Sequence, residues 1–414
     1  MTSAVVTRCL RALSQHARQL SNHVTATRVL APPHLPLGCG GATCRSNRVG
    51  LALRRYHDTP SLTADAVAAE TIKIDGESFP RDRLTNVTPR IASHVARDLP
   101  DRRRHPLWHV KNRIRDYFHA TYRKSGRTPL FSLCENLSPI VTIEQNFDSL
   151  LTPTDHVSRS PADSYYVNEG RMLRAHTSAH QRDLVRMGLD AFLVVGDCYR
   201  RDEIDASHYP VFHQCEGVRL FTEHQLFGRV EGGSELHIHT GDANGLPRRP
   251  ERQQSHTLEA VKLAEHDLKV ALEGLARNLF GDDIQLRWVD TYFPFTHPSW
   301  ELEIYWKDDW MECLGCGIME HKILESAGAG NKIGWAFGLG LDRLAMLLYD
   351  IPDIRLLWSE DSGFLSQFDF DDSSAPVKYQ PISIYPQCTS DMSFWTRTAI
   401  QLMTLRLVRA LEET

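Results

Sequence analysis

From His109 to Lys124 an apolar side chain recurs at every fourth position, at Val110, Ile114, Phe118 and Tyr122, and this spacing predicts a helix with one buried stripe. Its other faces carry Lys111, Arg113, Arg115, Arg123 and Lys124, and residues 97–127 hold ten Lys or Arg against three Asp. A solvated helix face and an RNA-backbone surface both fit that charge run. Further on, AFLVVGDCYRR (191–201) and HYPVFHQCEGVRLF (208–221) are β-rich runs separated by the polar turn DEIDAS, which predicts a long antiparallel hairpin. WELEIYW (300–306) and WMECLGCGI (310–318) form a second strand pair about KDD.

Between these pairs, SHTLEAVKLAEHDLKVALEGLARNLFG (255–281) reads as a helix, with Ser255 as N-cap and Gly281 just past its end. KIGWAFGLGLDRLAMLLYD (332–350) runs from an apolar strand into an amphipathic helix, with Gly338 and Gly340 allowing close backbone approach at the junction. Residues 231–254, rich in Gly, Pro, Arg and Glu, predict a mobile insertion in which His237 and His239 are loop residues before they are ligands. Strands and helices alternate from about 140 to 350, and no internal repeat interrupts them.

Composition narrows the class. At 414 residues, 42% hydrophobic and 24% charged, the chain can bury a large core. No apolar run approaches the ~18 residues of a membrane span. Nine scattered cysteines do not make a disulfide framework and fit a reducing compartment. Only Cys313 and Cys316 form a CxxC, without the further ligands that a zinc site needs nearby.

Charge is unevenly spread. Residues 1–55 contain no Asp, Glu or Lys but eight Arg, the composition of a mitochondrial transit peptide; a basic nucleic-acid-binding arm is the alternative. Those eight charges separate the chain's formal −5 from −13 for the remainder, so an RNA partner would meet local basic patches and not a basic overall field.

The chain has no GxxxxGK loop and no dinucleotide fingerprint, so a nucleotide would be held by side chains. Arg200, Arg201 and His208 flank the hairpin loop, and Arg343 opens the helix after the glycine-containing strand. Guanidinium forks suit a triphosphate because they bind phosphate oxygens bidentately. Taken alone, Phe293 and Phe295 are ordinary core aromatics, Glu216 and Glu312 surface acids, and Arg343 a helix-end ion pair. Their order and combination point elsewhere.

MLRAHTSAHQ (172–181), YRRDEIDASHYPVFHQCEG (199–217), YFPFTHPSWELEI (292–304), LGCGIME (314–320) and GWAFGLGLDRLAM (334–346) together resemble the phenylalanine-specific class II aminoacyl-tRNA synthetases. NFDSLLTPTDHVSR (146–159) resembles the family's motif-one region, with Val157 where proline is usual. The resemblance covers about residues 100–395. It implies an α+β fold, a class II synthetase antiparallel sheet of six or seven strands flanked by helices, followed by a fragment of a ferredoxin-like domain. It also implies a reaction in two steps, in which phenylalanine and ATP give phenylalanyl-adenylate and the acyl group then passes to the 2'-hydroxyl of the terminal adenosine of mitochondrial tRNA(Phe).

By the same resemblance Arg200 grips the α-phosphate, Arg343 the far phosphates and one face of adenine, and Phe212 the other face. His208 contacts phosphate, with Ser207 and Tyr209 beside it. Gln214 and Glu216 hold the ammonium of phenylalanine, and His176, Ser178, Ala179, His180 and Gln181 run along the cleft. Phe293 and Phe295, placed by period-two spacing on one strand face, sandwich the substrate ring, while Glu312 and Phe337 complete the lining. ATP enters as substrate with Mg2+, for which Glu301, Glu303 and Glu312 are the acids within reach. A monomer in the mitochondrial matrix, without a membrane partner, completes the expectation.

The organisation expected is a presequence (1–55), an N-terminal linker segment (56–105), a catalytic domain (106–360), a linker (361–378) and a truncated anticodon-binding domain with a divergent tail (379–414). VKYQPISIYPQCTSDMSFW (377–395) resembles the opening of that domain, and TRTAIQLMTLRLVRALEET is too short to complete it. Truncation would impair transfer to tRNA more than adenylate formation. A non-catalytic or unstable splice variant, or a paralogue acylating a non-tRNA acceptor, are the alternatives.

Overall fold

The computed structural model describes residues 71–124, 127–240 and 247–382. The expected presequence, and all of the expected 379–414 domain after residue 382, lie outside the described residues.

Strands β1 (Thr71–Ile74) and β2 (Glu77–Pro80) pair about Asp75 and Gly76, both at positive φ, as the tight turn of a twisted hairpin requires. Ile74, Phe79, Val87, Ile91, Val95 and Leu99 are all buried in the main core. The segment expected to be a linker is therefore, from Thr71 on, a packed part of the domain. Its apolar residues come from short elements too brief to show a period, which is why the pattern concealed them.

Helix α1 (Pro106–Thr121) begins three residues before the predicted His109, with Pro106 in its first turn and His105 Nδ1 accepting from the Leu107 amide. Val110, Ile114 and Phe118 are fully buried, as the spacing predicts. Lys111 is not on a solvated face: it is 5% exposed and ion-paired with Asp101 and Glu135, the neutralisation a buried ammonium needs.

The sheet contains β3 (Ser132–Cys134), β4 (Ala191–Tyr199), β5 (Val211–Phe221), β6 (Leu286–Phe293), β7 (Thr296–Trp306), β8 (Asp309–Met319) and β9 (Ile333–Gly340). Their spatial order is β6-β7-β8-β9-β5-β4-β3. Every pairing is antiparallel except β3–β4, which is parallel, so the sheet is six antiparallel strands with one parallel edge. Both predicted hairpins form, β4–β5 and β7–β8, the latter turning at Lys307 and Asp308 with φ of 49° and 68°.

Alternation decides which face sees which layer. Leu193 and Val195 of β4 enter the main core, whereas Phe192 and Val194 enter a second cluster on the opposite face. The main core lies under α1, the long helix α3 (Leu258–Phe280) and α5 (Leu341–Tyr349). Thr257, not Ser255, caps α3, its side chain accepting from the Ala260 amide. Asp267 of α3 accepts from Arg219 of β5 at 2.9 Å and from Trp335 of β9 at 2.8 Å, which fixes the helix to the middle of the sheet. On the other face, α2 (Gln181–Arg186) and α4 (His321–Ser326) cover one end. The rest of that face is open.

Residues expected to form the second linker also pack. Phe364 and Phe368 are fully buried, and the Tyr379 amide donates to the Tyr349 carbonyl at 2.7 Å. No helix among the described residues is long and apolar enough to cross a membrane.

Candidate active site

The uncovered sheet face holds a cavity of about 560 Å³ between β5, β8, β9, the β6–β7 turn and the segment preceding α2. Phe212, Gln214 and Glu216 occupy alternate positions of β5 and so share that face. Glu216 is 2% exposed and lies on the cavity floor. Its carboxylate accepts from Ser178 Oγ at 2.6 Å, Thr177 Oγ1 at 3.2 Å and Gln181 Nε2 at 2.5 Å. Burial pushes the carboxyl up to about 7, and these three donors oppose the rise. Gln214 Oε1 accepts from the Thr177 amide at 3.3 Å.

Two acceptors beside this acid have no partner: Gln181 Oε1 and His176 Nδ1 are buried without a hydrogen bond. Burial, and then the charge of Arg200, hold the His176 imidazole down at about 3, so it is neutral. A buried carboxylate whose partner Gln181 leaves its own amide oxygen unpaired suits a small cation with several N–H donors.

Arg200 follows β4. Its Nε donates to the Ala175 carbonyl at 3.0 Å, and its guanidinium lies 5.0 Å from the centre of the Phe212 ring. Arg343, on α5, is half exposed and has Nη1 3.9 Å from Glu312 Oε2. Both cations act on Glu312, whose carboxyl is nevertheless raised, first by burial and then by Glu301. Arg343 thus stands beside Glu312, and Arg200 lines the same cavity as Glu312.

The three acids expected to hold Mg2+ fare unequally. Glu312 lines the cavity, and Glu301 lies on the adjacent strand β7 with its Oε1 accepting from Thr291 Oγ1 at 3.1 Å; both offer the oxygen donors that a hard cation takes. Glu303 is ion-paired with Arg287 and is already neutralised.

The aromatic wall differs from the expectation. Phe293 ends β6, whereas Phe295 lies in the turn before β7, so the two rings do not share one strand face. They stack on each other at 5.7 Å with 9° between their planes. A third ring between them would need close to 7 Å, twice an ordinary ring thickness, so the pair as it stands leaves no slot for one. Gly315 provides the room, because a Cβ there would be 2.7 Å from Phe293 Cζ. Phe337 of β9 borders the cavity, but its ring is 1% exposed within the main core and stacks on Phe118 at 5.5 Å, so it does not present its face to a substrate as expected. A Cβ at Gly338 or Gly340 would meet nothing within 4 Å, so these glycines leave open space and do not mediate close contact.

Nine of the expected site residues, Ala179, His180, Ser207, His208, Tyr209, Phe212, Glu301, Glu303 and Arg343, are not among those lining the cavity, and Ala179 is packed beneath it. Tyr209 is 8% exposed, with its hydroxyl 3.1 Å from His94 Nε2 and its ring beside Trp358. His180 Nε2 is 2.9 Å from Arg174 Nη1. Ser207 and His208 stand exposed on the hairpin loop, both hydrogen-bonded to Asp205. The sequence reading missed Thr177, whose side chain and amide reach Glu216 and Gln214, and Asp342, which accepts from the His213 amide at 2.5 Å. Thr177 stood inside the quoted MLRAHTSAHQ and Asp342 beside Arg343, but a lone polar residue gives no signal of its partner.

Residues 91–227 and 253–368 match the family of tRNA synthetases class II core domain (F). The mitochondrial phenylalanine--tRNA ligase of Mus musculus is 53% identical over 345 residues, which span 83% of this chain and 76% of that protein. The probable mitochondrial phenylalanine--tRNA ligase of Drosophila melanogaster is 52% identical, over 80% of this chain and 75% of that one. That of Saccharomyces cerevisiae is 36% identical, over 78% and 77%. The seven-stranded sheet and these matches across most of the chain agree, and the chain belongs to the phenylalanine-specific class II aminoacyl-tRNA synthetases.

Proposed function

We propose that the cavity binds phenylalanine and ATP, forms phenylalanyl-adenylate, and passes the acyl group to the 2'-hydroxyl of the terminal adenosine of mitochondrial tRNA(Phe), in the mitochondrial matrix as in its relatives. The observation that carries this reading is the buried Glu216 with the unpartnered Gln181 Oε1 and His176 Nδ1 beside it. Those acceptors suit an amino acid's ammonium, and the stacked Phe293 and Phe295 offer an apolar wall to its ring.

In the first step a carboxylate oxygen of phenylalanine attacks the α-phosphorus, the bond to the β-phosphate oxygen breaks, and pyrophosphate leaves. Arg200, held by the Ala175 carbonyl, is the cation for the α-phosphate. Arg343 is the cation for the outgoing pyrophosphate, where its half-exposed position leaves room. Phe212 serves adenine on the face that Arg200 does not cover. His208 and Ser207, now on an exposed loop, reach phosphate only if that loop folds inward. Glu312 and Glu301 would hold Mg2+, which would supply charge neutralisation to the phosphates. In the second step the 2'-hydroxyl oxygen attacks the adenylate carbonyl carbon and AMP leaves.

Phenylalanine-dependent exchange of labelled pyrophosphate into ATP tests the first step. Exchange by the chain, lowered about 10²–10³-fold in kcat by Arg200→Ala, supports these roles. A folded Arg200→Ala variant with unaltered exchange overturns the assignment of Arg200.

A further inference from the structure

The segment 228–252, which interrupts the family match, contributes one histidine to a cluster with no part in the chemistry above. His239 and His256 face each other across a short antiparallel bridge, flanked by the hydrogen bonds Thr240 N–Ser255 O at 3.1 Å and Thr257 N–Ile238 O at 2.9 Å. That is the non-hydrogen-bonded pair of a ladder, in which opposed side chains approach most closely. His321, the first residue of α4, completes the group, with ring centres 4.8 Å from His239 and 5.2 Å from His256.

One nitrogen from each ring lies within 4.8 Å of the other two. His239 Nε2, both nitrogens of His256 and His321 Nδ1 are buried without a hydrogen-bond partner, and His256 is 0% exposed. Three imidazoles packed at tilted and edge-on angles, with unpartnered nitrogens close to one another, make a poor apolar core. The second nitrogen of His321 already contacts Glu325 Oε1 at 3.3 Å, the carboxylate–histidine arrangement that orients a metal-binding ring. Burial lowers His256 and His321, which keeps them in the neutral form that ligates.

We propose that His239, His256 and His321 bind one divalent cation of the zinc type through three imidazole nitrogens, with water in the fourth position. Imidazole donors select Zn2+ over Mg2+, which takes oxygen ligands. Zinc–nitrogen bonds of about 2.0–2.1 Å in a tetrahedral site put ligand nitrogens ~3.4 Å apart, so small ring rotations close the present spacing.

Such an ion would clamp the interrupting segment to the wall of the amino-acid cavity. Gln253 Nε2 donates to the carbonyls of His297 and Met319, both at 2.8 Å, and its Oε1 accepts from the His321 amide at 2.8 Å. Next to His321, the Glu320 amide donates to the Phe295 carbonyl at 2.9 Å. The ion therefore sits one residue from the hydrogen bond that holds the Phe295 turn. Its role is positional, and it touches no reacting atom.

The test uses the full chain, stripped with a chelator and titrated with Zn2+ alone, with bound metal measured by elemental analysis. In parallel, Co2+ is added and its visible absorption recorded, since tetrahedral nitrogen ligation gives strong d–d bands. One equivalent of Zn2+ is expected, with tetrahedral Co2+ bands. His239→Asn and His321→Asn each lose the bands and weaken binding at least 100-fold, whereas Glu325→Gln weakens it about 10–100-fold. His256→Ala removes the fully buried ring and is unsafe as a sole probe; His239 and His321, each partly exposed, keep the test decisive. No stoichiometric uptake, or uptake indifferent to His239→Asn and His321→Asn, overturns the proposal. Neither readout depends on activity, so this result is independent of the proposed reaction.

Discussion

The backbone amide of His213 donates to the carboxylate of Asp342 at 2.5 Å, and its ring Nδ1 lies 3.2 Å from the same group, with both side chains almost wholly buried. This contact joins β5, which carries Phe212, Gln214 and Glu216, to α5, which carries Arg343. It adds to the β5–β9 ladder, whose last pair, Gly340 with Gln214, already brings the start of α5 to β5.

Asp342→Ala strands a buried amide and imidazole, and we expect it to cost about 3–5 kcal/mol in urea unfolding. Asp342→Asn retains an acceptor oxygen and is expected to cost less. Equal stability of the alanine variant and the parent would contradict this linkage.

Glu216 makes phenylalanine binding depend on pH. Its carboxyl titrates at about 7 in the unliganded fold, and only the ionised form attracts the substrate ammonium. The KM for phenylalanine is therefore expected to rise as pH falls from 8 to 6, approaching tenfold per unit below the titration point, and Glu216→Gln should flatten that profile. Stability runs the other way: with the folded value above the unfolded one, the contribution is full below about 4.5 and is lost as pH rises through about 7. At pH 8 Glu216→Gln should consequently unfold later than the parent, by roughly 3 kcal/mol at most. Calorimetry at pH 5 and pH 8 checks the sign.

Gly315→Ala places a methyl 2.7 Å from Phe293 Cζ and pushes the ring into the cavity. The expected outcome is a higher KM for phenylalanine with a smaller change in kcat, measured by pyrophosphate exchange. Gly217→Ala places its methyl 2.2 Å from Phe337, which is fixed against Phe118, so there the cost falls on folding, about 1–3 kcal/mol or more.

The cavity separates phenylalanine from tyrosine by an apolar wall, and such a pocket rejects an added hydroxyl only about 100-fold. Exchange with tyrosine, and with its meta isomer, should be detectable at that level. Complete absence of exchange with both would show that a polar group or a steric stop meets the hydroxyl.

Much of this site was legible because it rests on local periods. Strand alternation alone sets Phe212, Gln214 and Glu216 on one face of β5, and the four-residue spacing of Val110, Ile114 and Phe118 buries that stripe of α1. The conjunction of arginine-bearing hairpin and GLGLDRLAM element pointed to the family in advance, with Arg200 and Arg343 as the expected phosphate cations. Spacing misled where the chain turns, because Phe293 and Phe295 look like neighbours on one strand until the hairpin separates them. Tertiary packing decided the rest. Tyr209 left the substrate site because His94 and Trp358, from opposite parts of the chain, enclose it. His239, taken as a loop residue, met His256 and His321 for the same reason. A period reports only which way a side chain points, whereas its partner is set by which distant segment folds against that face.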